Sequence, residues 1–468
     1  MNDSKNQSGF YLLSDNTDAF VARFALATMA TKTLDIQYYI MHNDASGQYL
    51  GYAILSAADR GVHVRILVDD INLSGRDNNL KMLSQHKNIE IRVFNPLSNR
   101  NWFRNFEIIT NLDRAGRRMH NKLYVVDNSA AIIGGRNIGD EYFDARKNLN
   151  FVDLDLLTIG PIIDDITKSF NDYWESRWAS TIESLSKTTV VKKQLYNIRH
   201  RLKDKWHRAK NTEYFKSLQQ SDLTKKIISQ QIPFIWASAR LFYDLPEKLS
   251  ADTTDKTVHF GPDVMSYFNG ARIELLMTTP YLVPGKSGTD WLKNKIKQDV
   301  KVKILTNSLA ATDVIAVHAG YTKYRQQLVE SGIDLFELKP TAQHFREKTR
   351  AFMKGVSNSS LHAKYMVIDK QYVFIGSANI DPRSKNLNTE IGIMVNSKEL
   401  AELTSALFDK TSSLENSYKI LNNDANNTLS WLTKENGKET SYTTEPNTTF
   451  LKRLAALILG LLPLESLL

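Results

Sequence analysis

One phrase occurs twice in this chain, and it constrains the fold more than any other feature. The first copy runs His120-Asn121-Lys122, then Asp127, then Gly134-Gly135-Arg136-Asn137. The second runs His362-Ala363-Lys364, then Asp369, then Gly376-Ser377-Ala378-Asn379. In both, Lys follows His by two residues, Asp follows Lys by five, and Asn follows Asp by ten. An apolar run follows each lysine, Leu123 to Val126 and Tyr365 to Ile368, with the length and composition of a buried strand. Residues two apart on an extended segment share a face, so imidazole and ammonium emerge side by side. Asp127 and Asp369 then fall at a turn, and the small residues beyond let backbone and Asn approach a ligand closely.

The surroundings of the phrase repeat as well. Leu34 to Ile40, Val62 to Val68 and Ile89 to Phe94 read as strands before the first copy, separated by helical stretches such as Gly51 to Ala58. Ile273 to Thr278, Val300 to Thr306 and Ile333 to Leu338 stand in the same order before the second. Strands alternating with helices predict an α/β fold of two similar halves, each a mixed sheet flanked by helices. Related halves of this kind can meet about a pseudo-twofold axis and share a single active site. The expected divisions are 9–180 and 231–410 for the halves, 181–230 for a basic helical connector, and 411–468 for a polar linker with an amphipathic tail.

The phrase resembles the signature of the phospholipase D superfamily, with Gly135 in the first copy where Ser is usual. A resemblance to the bacterial cardiolipin synthase C group runs nearly end to end. It is carried by Thr33 to Tyr39, Met119 to Lys122, Gly134 to Asp140, Phe151 to Asp155, Leu309 to Val314 with His318 to Tyr321, Ile380 to Ser384, and Leu462 to Glu465. That resemblance implies a phosphatidyltransferase joining phosphatidylglycerol and a second phospholipid, phosphatidylethanolamine or phosphatidylglycerol, into cardiolipin. It also implies that a separate accessory protein assists some members.

The residues themselves support phosphoryl transfer. Lys122, Lys364, Asn137 and Asn379 supply positive and amide donors to phosphate oxygens. One imidazole attacks phosphorus to form a phosphohistidine, and the other, protonated, gives its proton to the leaving alkoxide. By position in the motif His120 is the nucleophile and His362 the general acid, although the halves are alike enough for the roles to exchange. The motif counts Asp127 and Asp369 with His120, Lys122, His362 and Lys364 in the catalytic set, while their place at a turn argues for a structural task. Glu390 and Asp153 are the candidates to orient the histidines, with Asp155 competing for the second place. Asp313, His318 and Tyr321 mark a cleft rim, or Asp313 is simply a helix N-cap. No cofactor or metal is called for, and no carboxylate cluster has magnesium or calcium spacing.

Composition decides the setting. The chain has 468 residues and no cysteine, which excludes disulfides and thiolate chemistry and suits a reducing compartment. The polar amino terminus lacks a signal-peptide core, and no apolar run reaches the roughly 20 residues of a membrane span. Lys187 to Lys226 holds twelve Lys or Arg and three Asp or Glu, so it carries the whole net charge of +9. It is either a solvated connector or a contact with an anionic membrane surface. Nucleic acid, the rival polyanion, is the weaker expectation because Phe450 to Leu462 is apolar behind Lys452-Arg453 and suits an interfacial anchor. That tail could instead pack on the body. Taken with the resemblance to the bacterial group, which implies the inner membrane, these features suit a peripheral enzyme on its cytoplasmic side. A hydrolytic phospholipase D, a nuclease of the same superfamily, and a non-catalytic lipid-binding protein are the competing readings. The last is opposed by the intact His, Lys and Asn of both copies.

Overall fold

The structure is a computed structural model that describes residues 6–99, 112–146, 148–185, 192–342, 358–423, 428–463 and 465. It divides into two units. The first comprises Met1–Arg146, Leu154–Phe260 and Leu387–Ile393; the second comprises Lys147–Asp153, Gly261–Asn386 and Met394–Leu468. Each unit therefore contains a short segment that lies, in the chain, beside the residues of the other.

The first unit is built on β1 (Ser8–Leu13), β2 (Thr33–Tyr38), β3 (His63–Asp69), β4 (Ile89–Phe94), β5 (Leu123–Val126) and β6 (Ala130–Gly134). After β7 (Leu149–Val152), which belongs to the second unit, come β8 (Asp155–Ile159), β9 (Ala179–Thr181) and β10 (Ile235–Tyr243). Strands β4, β3 and β2 are parallel neighbours, and β2 continues antiparallel through β5, β6, β8, β1 and β10. Strand β9 closes the other edge against β4. Leu34, Ile36 and Tyr38 on one face of β2, and Asp35 and Gln37 on the other, are all buried, as a strand covered on both sides requires. Asp35 is tolerated there because Arg65 forks onto both of its oxygens at 2.7 Å and lies over the rings of Phe170 and Trp174.

The second unit uses β11 (Glu274–Thr278), β12 (Lys301–Asn307), β13 (Asp334–Leu338), β14 (Asn358–Leu361), β15 (Tyr365–Ile368) and β16 (Tyr372–Gly376). The strand β17 (Ile391–Asn396) follows, then β18 (Ser417–Asn423), β19 (Thr428–Glu435) and β20 (Lys438–Tyr442). Strands β13, β12 and β11 are parallel, β11 pairs antiparallel with β15, and β15 with β16. This is the β4-β3-β2-β5-β6 order of the first unit, so the expected duplication of an α/β core is present. Strand β14 pairs in parallel with β7, apart from the main sheet.

Several expectations are corrected. The stretch read as a polar linker within 411–468 holds a β-meander, with β18 on β13, β19 on β18 and β20 on β19. Trp431 and Thr433 alternate inward on β19, while Asn436 and Gly437 take φ of 50° and 81°, the left-handed pair a tight hairpin needs. Its open face explains the polar composition. The basic stretch is not a free connector either. Its described part forms helices Lys192–Ala209, Glu213–Gln220 and Asp222–Ile228, which pack on helices Asn16–Met29 and Ala45–Asp59 of the first unit. Trp206 stacks on Phe24 at 4.4 Å and on Tyr52 at 5.7 Å, so its ring faces inward, whereas Tyr196 stays exposed. Lys187 itself lies outside the described residues. The helix Ala45–Asp59 begins six residues before the expected Gly51, because Asp44 caps it by accepting Gly47 N–H.

The carboxyl-terminal helix Phe450–Leu461 packs one face on helix Ile315–Glu330, burying Ala456, with Gly460 beside Ala319. Its other face is bare: Phe450, Leu451, Leu457, Ile458 and Leu461 are exposed. The reading that this tail packs on the body therefore holds for one face. No helix among the described residues is long and apolar enough to cross a membrane.

Candidate active site

The first half-site is assembled within the first unit. His120 is extended chain just ahead of β5, and its backbone N–H donates to Thr389 carbonyl at 2.9 Å. That pairing delivers the next residue, Glu390, whose Oε2 meets His120 Nδ1 at 2.8 Å. Both groups are buried. A carboxylate on Nδ1 fixes the proton there and turns Nε2 outward as the reactive nitrogen. Glu390 is itself braced: its N–H donates to Asp244 Oδ2 at 2.9 Å, and Asp244 N–H donates back to Glu390 carbonyl at 3.0 Å. Burial pushes the Asp244 carboxyl up to about 6, against the opposing pull of the Lys248 ammonium at 2.7 Å. This support was invisible in the sequence. Lys122 folds back to donate to His120 carbonyl and lies 5.5 Å from the ring of Tyr39, which also walls His120 edge-on at 5.0 Å.

The second half-site repeats the plan within the second unit. Here β7 runs beside β14, with Val152 opposite Leu361, and Val152 carbonyl accepts from His362 N–H at 2.8 Å. Asp153 follows and its Oδ2 meets His362 Nδ1 at 2.6 Å. Lys364 donates to His362 carbonyl, and the ring of Phe151 stands 5.1 Å from the imidazole. Asp155, the rival for Asp153's place, is held elsewhere, between the buried guanidiniums of Arg23 at 2.8 Å and Arg136 at 3.2 Å. Gly134 makes room for it, since a Cβ there would lie 2.2 Å from an Asp155 carboxylate oxygen. The acids therefore cross: Glu390 from the second repeat serves His120 of the first, and Asp153 from the first serves His362 of the second.

The backbone just before each histidine is clamped by a residue the sequence did not single out. Asp69, at the end of β3, accepts Met119 N–H at 2.9 Å and faces Arg118 at 3.4 Å. Asn307, at the matching end of β12, accepts Leu361 N–H at 2.8 Å and donates to Leu361 carbonyl at 2.9 Å.

The two asparagines differ. Asn137 donates to Tyr142 hydroxyl at 2.9 Å and accepts Ile40 N–H at 3.2 Å, so one of its two amide N–H groups is engaged. Asn379 has a buried Oδ1 with no hydrogen-bond partner, while its backbone N–H donates to Ser384. Asp127 and Asp369, counted by the motif with the catalytic set, sit at the far ends of β5 and β15 from the histidines. Asp127 accepts from Thr31 N–H and hydroxyl, Lys32 N–H and Thr33 N–H at 2.7–2.8 Å. Partial burial raises its carboxyl, but these donors outweigh that and hold it below the usual range. Asp369 accepts from Arg272, Ile273 and Glu274 N–H in the same way. Each is also the first of two left-handed residues, with φ of 51° and 52°, in the turn to the next strand.

His318 and Tyr321 are likewise corrected from rim to core. Both are buried, with Tyr321 hydroxyl donating to Glu337 and His318 facing Glu445 at 3.3 Å beside Arg325. Asp313 is exposed and makes no cap to the helix that follows, which begins after Val314.

Two repeats of this α/β core, each presenting a carboxylate-bound imidazole and a lysine from one motif, define a phospholipase D-type fold. The family model described as cardiolipin synthase, PLD-like domain matches residues 24–174 and 264–412. Cardiolipin synthase C of Escherichia coli (strain K12) is 39% identical over 99% of this chain and 96% of its own. An uncharacterized protein of Helicobacter pylori is 34% identical over 86% of this chain and 79% of its own. Among solved structures, phosphatidylserine synthase of Haemophilus influenzae superposes with a TM-score of 0.62 at 12% identity, covering 100% and 98% of the two chains. This chain belongs to the cardiolipin synthase, PLD-like domain family.

Proposed function

We propose that the protein transfers a phosphatidyl group between two phospholipids, phosphatidylglycerol and either phosphatidylethanolamine or a second phosphatidylglycerol, to make cardiolipin. The observation that carries this reading is the matched pair of His–carboxylate couples, each with Nδ1 bound at 2.6–2.8 Å and a buried lysine beside it. The Escherichia coli relative's name supplies the product. His120 Nε2 attacks phosphorus, the bond from phosphorus to the leaving headgroup oxygen breaks, and His362, protonated on Nε2, gives that oxygen its proton. His362, now neutral, takes the proton of the incoming lipid hydroxyl as its oxygen attacks the phosphohistidine, restoring both imidazoles. Lys122 and Lys364 stabilise the charge that gathers on the phosphate oxygens.

The exposed apolar face of helix Phe450–Leu461 is the element that meets the bilayer, and the basic helices add attraction to anionic lipid. We place the enzyme as a peripheral protein on the cytoplasmic face of the inner membrane. Product analysis tests the reading. Purified protein with phosphatidylglycerol liposomes, with and without phosphatidylethanolamine, yields cardiolipin, and His120→Ala yields none. Phosphatidic acid as sole product would make it a phospholipase instead.

A further inference from the structure

The second half-site carries an acid that phosphate chemistry does not explain. Strands β11 and β12 are parallel neighbours, and Thr278 at the end of β11 pairs with Tyr365 at the start of β15. His362 and Lys364 therefore emerge at the carboxyl edge of β11 and β12. From the same edge come Tyr281, three residues past β11, and Asp313, six past β12. Tyr281 hydroxyl lies 2.9 and 3.1 Å from the two carboxylate oxygens of Asp313.

Both are held in place by the site itself. Val283 N–H donates to Ile380 carbonyl at 2.7 Å and Ile380 N–H to Thr279 hydroxyl at 3.3 Å, which ties the Tyr281 segment to the residue after Asn379. The Asp313 loop leaves β12 at Asn307, the residue that clamps Leu361 just before His362, and folds on Ser308 through Ala311 and Thr312 N–H. Asp313 remains exposed in area, yet packing around the carboxyl raises its proton affinity, opposed by Tyr281, by the backbone N–H groups of Asp313 and Val314, and by the charge of Lys364.

A carboxylate beside a phosphate site repels the phosphate, so its partner is a different part of the substrate. Carboxylate oxygens accept only, and together offer about four lone-pair positions, more than Tyr281 and the backbone N–H groups of Asp313 and Val314 fill. The groups they suit are hydroxyl and ammonium. At the matching end of β3, among the described residues, Asp69 and Asp70 are buried instead and accept Met119 and Leu97 N–H.

We propose that Tyr281 and Asp313 form a subsite for the hydrogen-bond-donating end of a lipid headgroup, the free hydroxyl of a glycerol or the ammonium of an ethanolamine. This rests on the phosphatidyl-transfer reading and adds headgroup selection to it. The two half-sites then differ in function, and the second is the one that tells headgroups apart.

The test is competition in one liposome among phosphatidylglycerol, phosphatidylethanolamine and phosphatidylmethanol, whose headgroup donates nothing, with each lipid's consumption read by mass spectrometry. Wild type consumes the donor-bearing lipids ahead of phosphatidylmethanol. Asp313→Asn lowers that preference by about 10- to 100-fold, the range a hydrogen bond to a charged group supplies. Tyr281→Phe, which removes only a hydroxyl, shifts it the same way by less, and carries the test if Asp313→Asn does not fold. Loss confined to phosphatidylglycerol identifies the hydroxyl as ligand, and loss confined to phosphatidylethanolamine the ammonium. Preference unchanged in both variants, with a wild type that makes cardiolipin, overturns the subsite alone. A wild type that consumes no lipid overturns the transfer reading and the subsite with it.

Discussion

Replacing Glu390 by Gln tests the crossed pairing directly. Gln fills the same volume, and the backbone of residue 390 stays held on both sides by Asp244, so the fold survives. What is lost is the charge opposite His120 Nδ1, now 2.8 Å from Glu390 Oε2. With charge centres about 4 Å apart and an effective dielectric of about 20, that interaction is worth about 4 kcal/mol to an imidazolium. The same amount is about a thousandfold in rate. A glutamine can also offer N–H to Nδ1 and select the wrong tautomer, which deepens the loss. The assay is single-turnover formation of cardiolipin and of acid-labile phosphoenzyme, with thermal unfolding as the control. Glu390→Gln slows phosphoenzyme formation about a thousandfold, whereas Asp153→Asn, acting on His362, slows its breakdown. A Glu390→Gln enzyme within tenfold of wild type, with unchanged unfolding, would refute the argument. Reversal of the two phenotypes would exchange the roles of the histidines.

Asp127→Ala removes the acceptor for four donors and lowers stability by about 1–3 kcal/mol in chemical denaturation, leaving turnover per folded molecule near wild type. A large loss of turnover without loss of stability would return Asp127 to the catalytic set. Leu457→Glu with Ile458→Glu places charge on exposed positions, so it reduces sedimentation with liposomes while the melting temperature barely moves; equal sedimentation counts against the anchor. Asp244 gives a pH dependence whose sign follows from its raised carboxyl: the folded protein takes up this proton near pH 6, the unfolded chain near pH 4. Its contribution to stability therefore grows as pH falls from about 6 to 4. The melting temperature of wild type rises relative to Asp244→Asn across that window, and a constant difference would show the carboxyl to be ordinary.

What the sequence made legible is what local spacing dictates. The repeated phrase, the apolar strands after each lysine and the order of elements before them all follow from periodicity. The partner of each histidine does not, because Glu390 lies 270 residues from His120 and Asp153 lies 209 from His362. No local pattern says which acid reaches which ring. Arg23 and Arg136, closing on Asp155, are hidden for the same reason. Other misses had a signal present. Asn436-Gly437 between alternating residues is a hairpin sequence, and Asp44 stood ready as a cap. The polar tail misled because one open sheet face has the composition of a linker.

The crossing of the two acids has a meaning for descent as well as for chemistry. A single repeat on its own would hold a histidine and a lysine but would lack the carboxylate that its imidazole uses. A one-repeat ancestor would have completed that couple only as a pair of identical copies, each lending the other its acid. Fusion of two such genes removes the obligation to stay identical. This chain records the freedom in small print, with Glu on one histidine and Asp on the other, and Asp69 where the second copy has Asn307. Each repeat expressed separately should therefore be inactive, and mixing the two is the route by which activity would return.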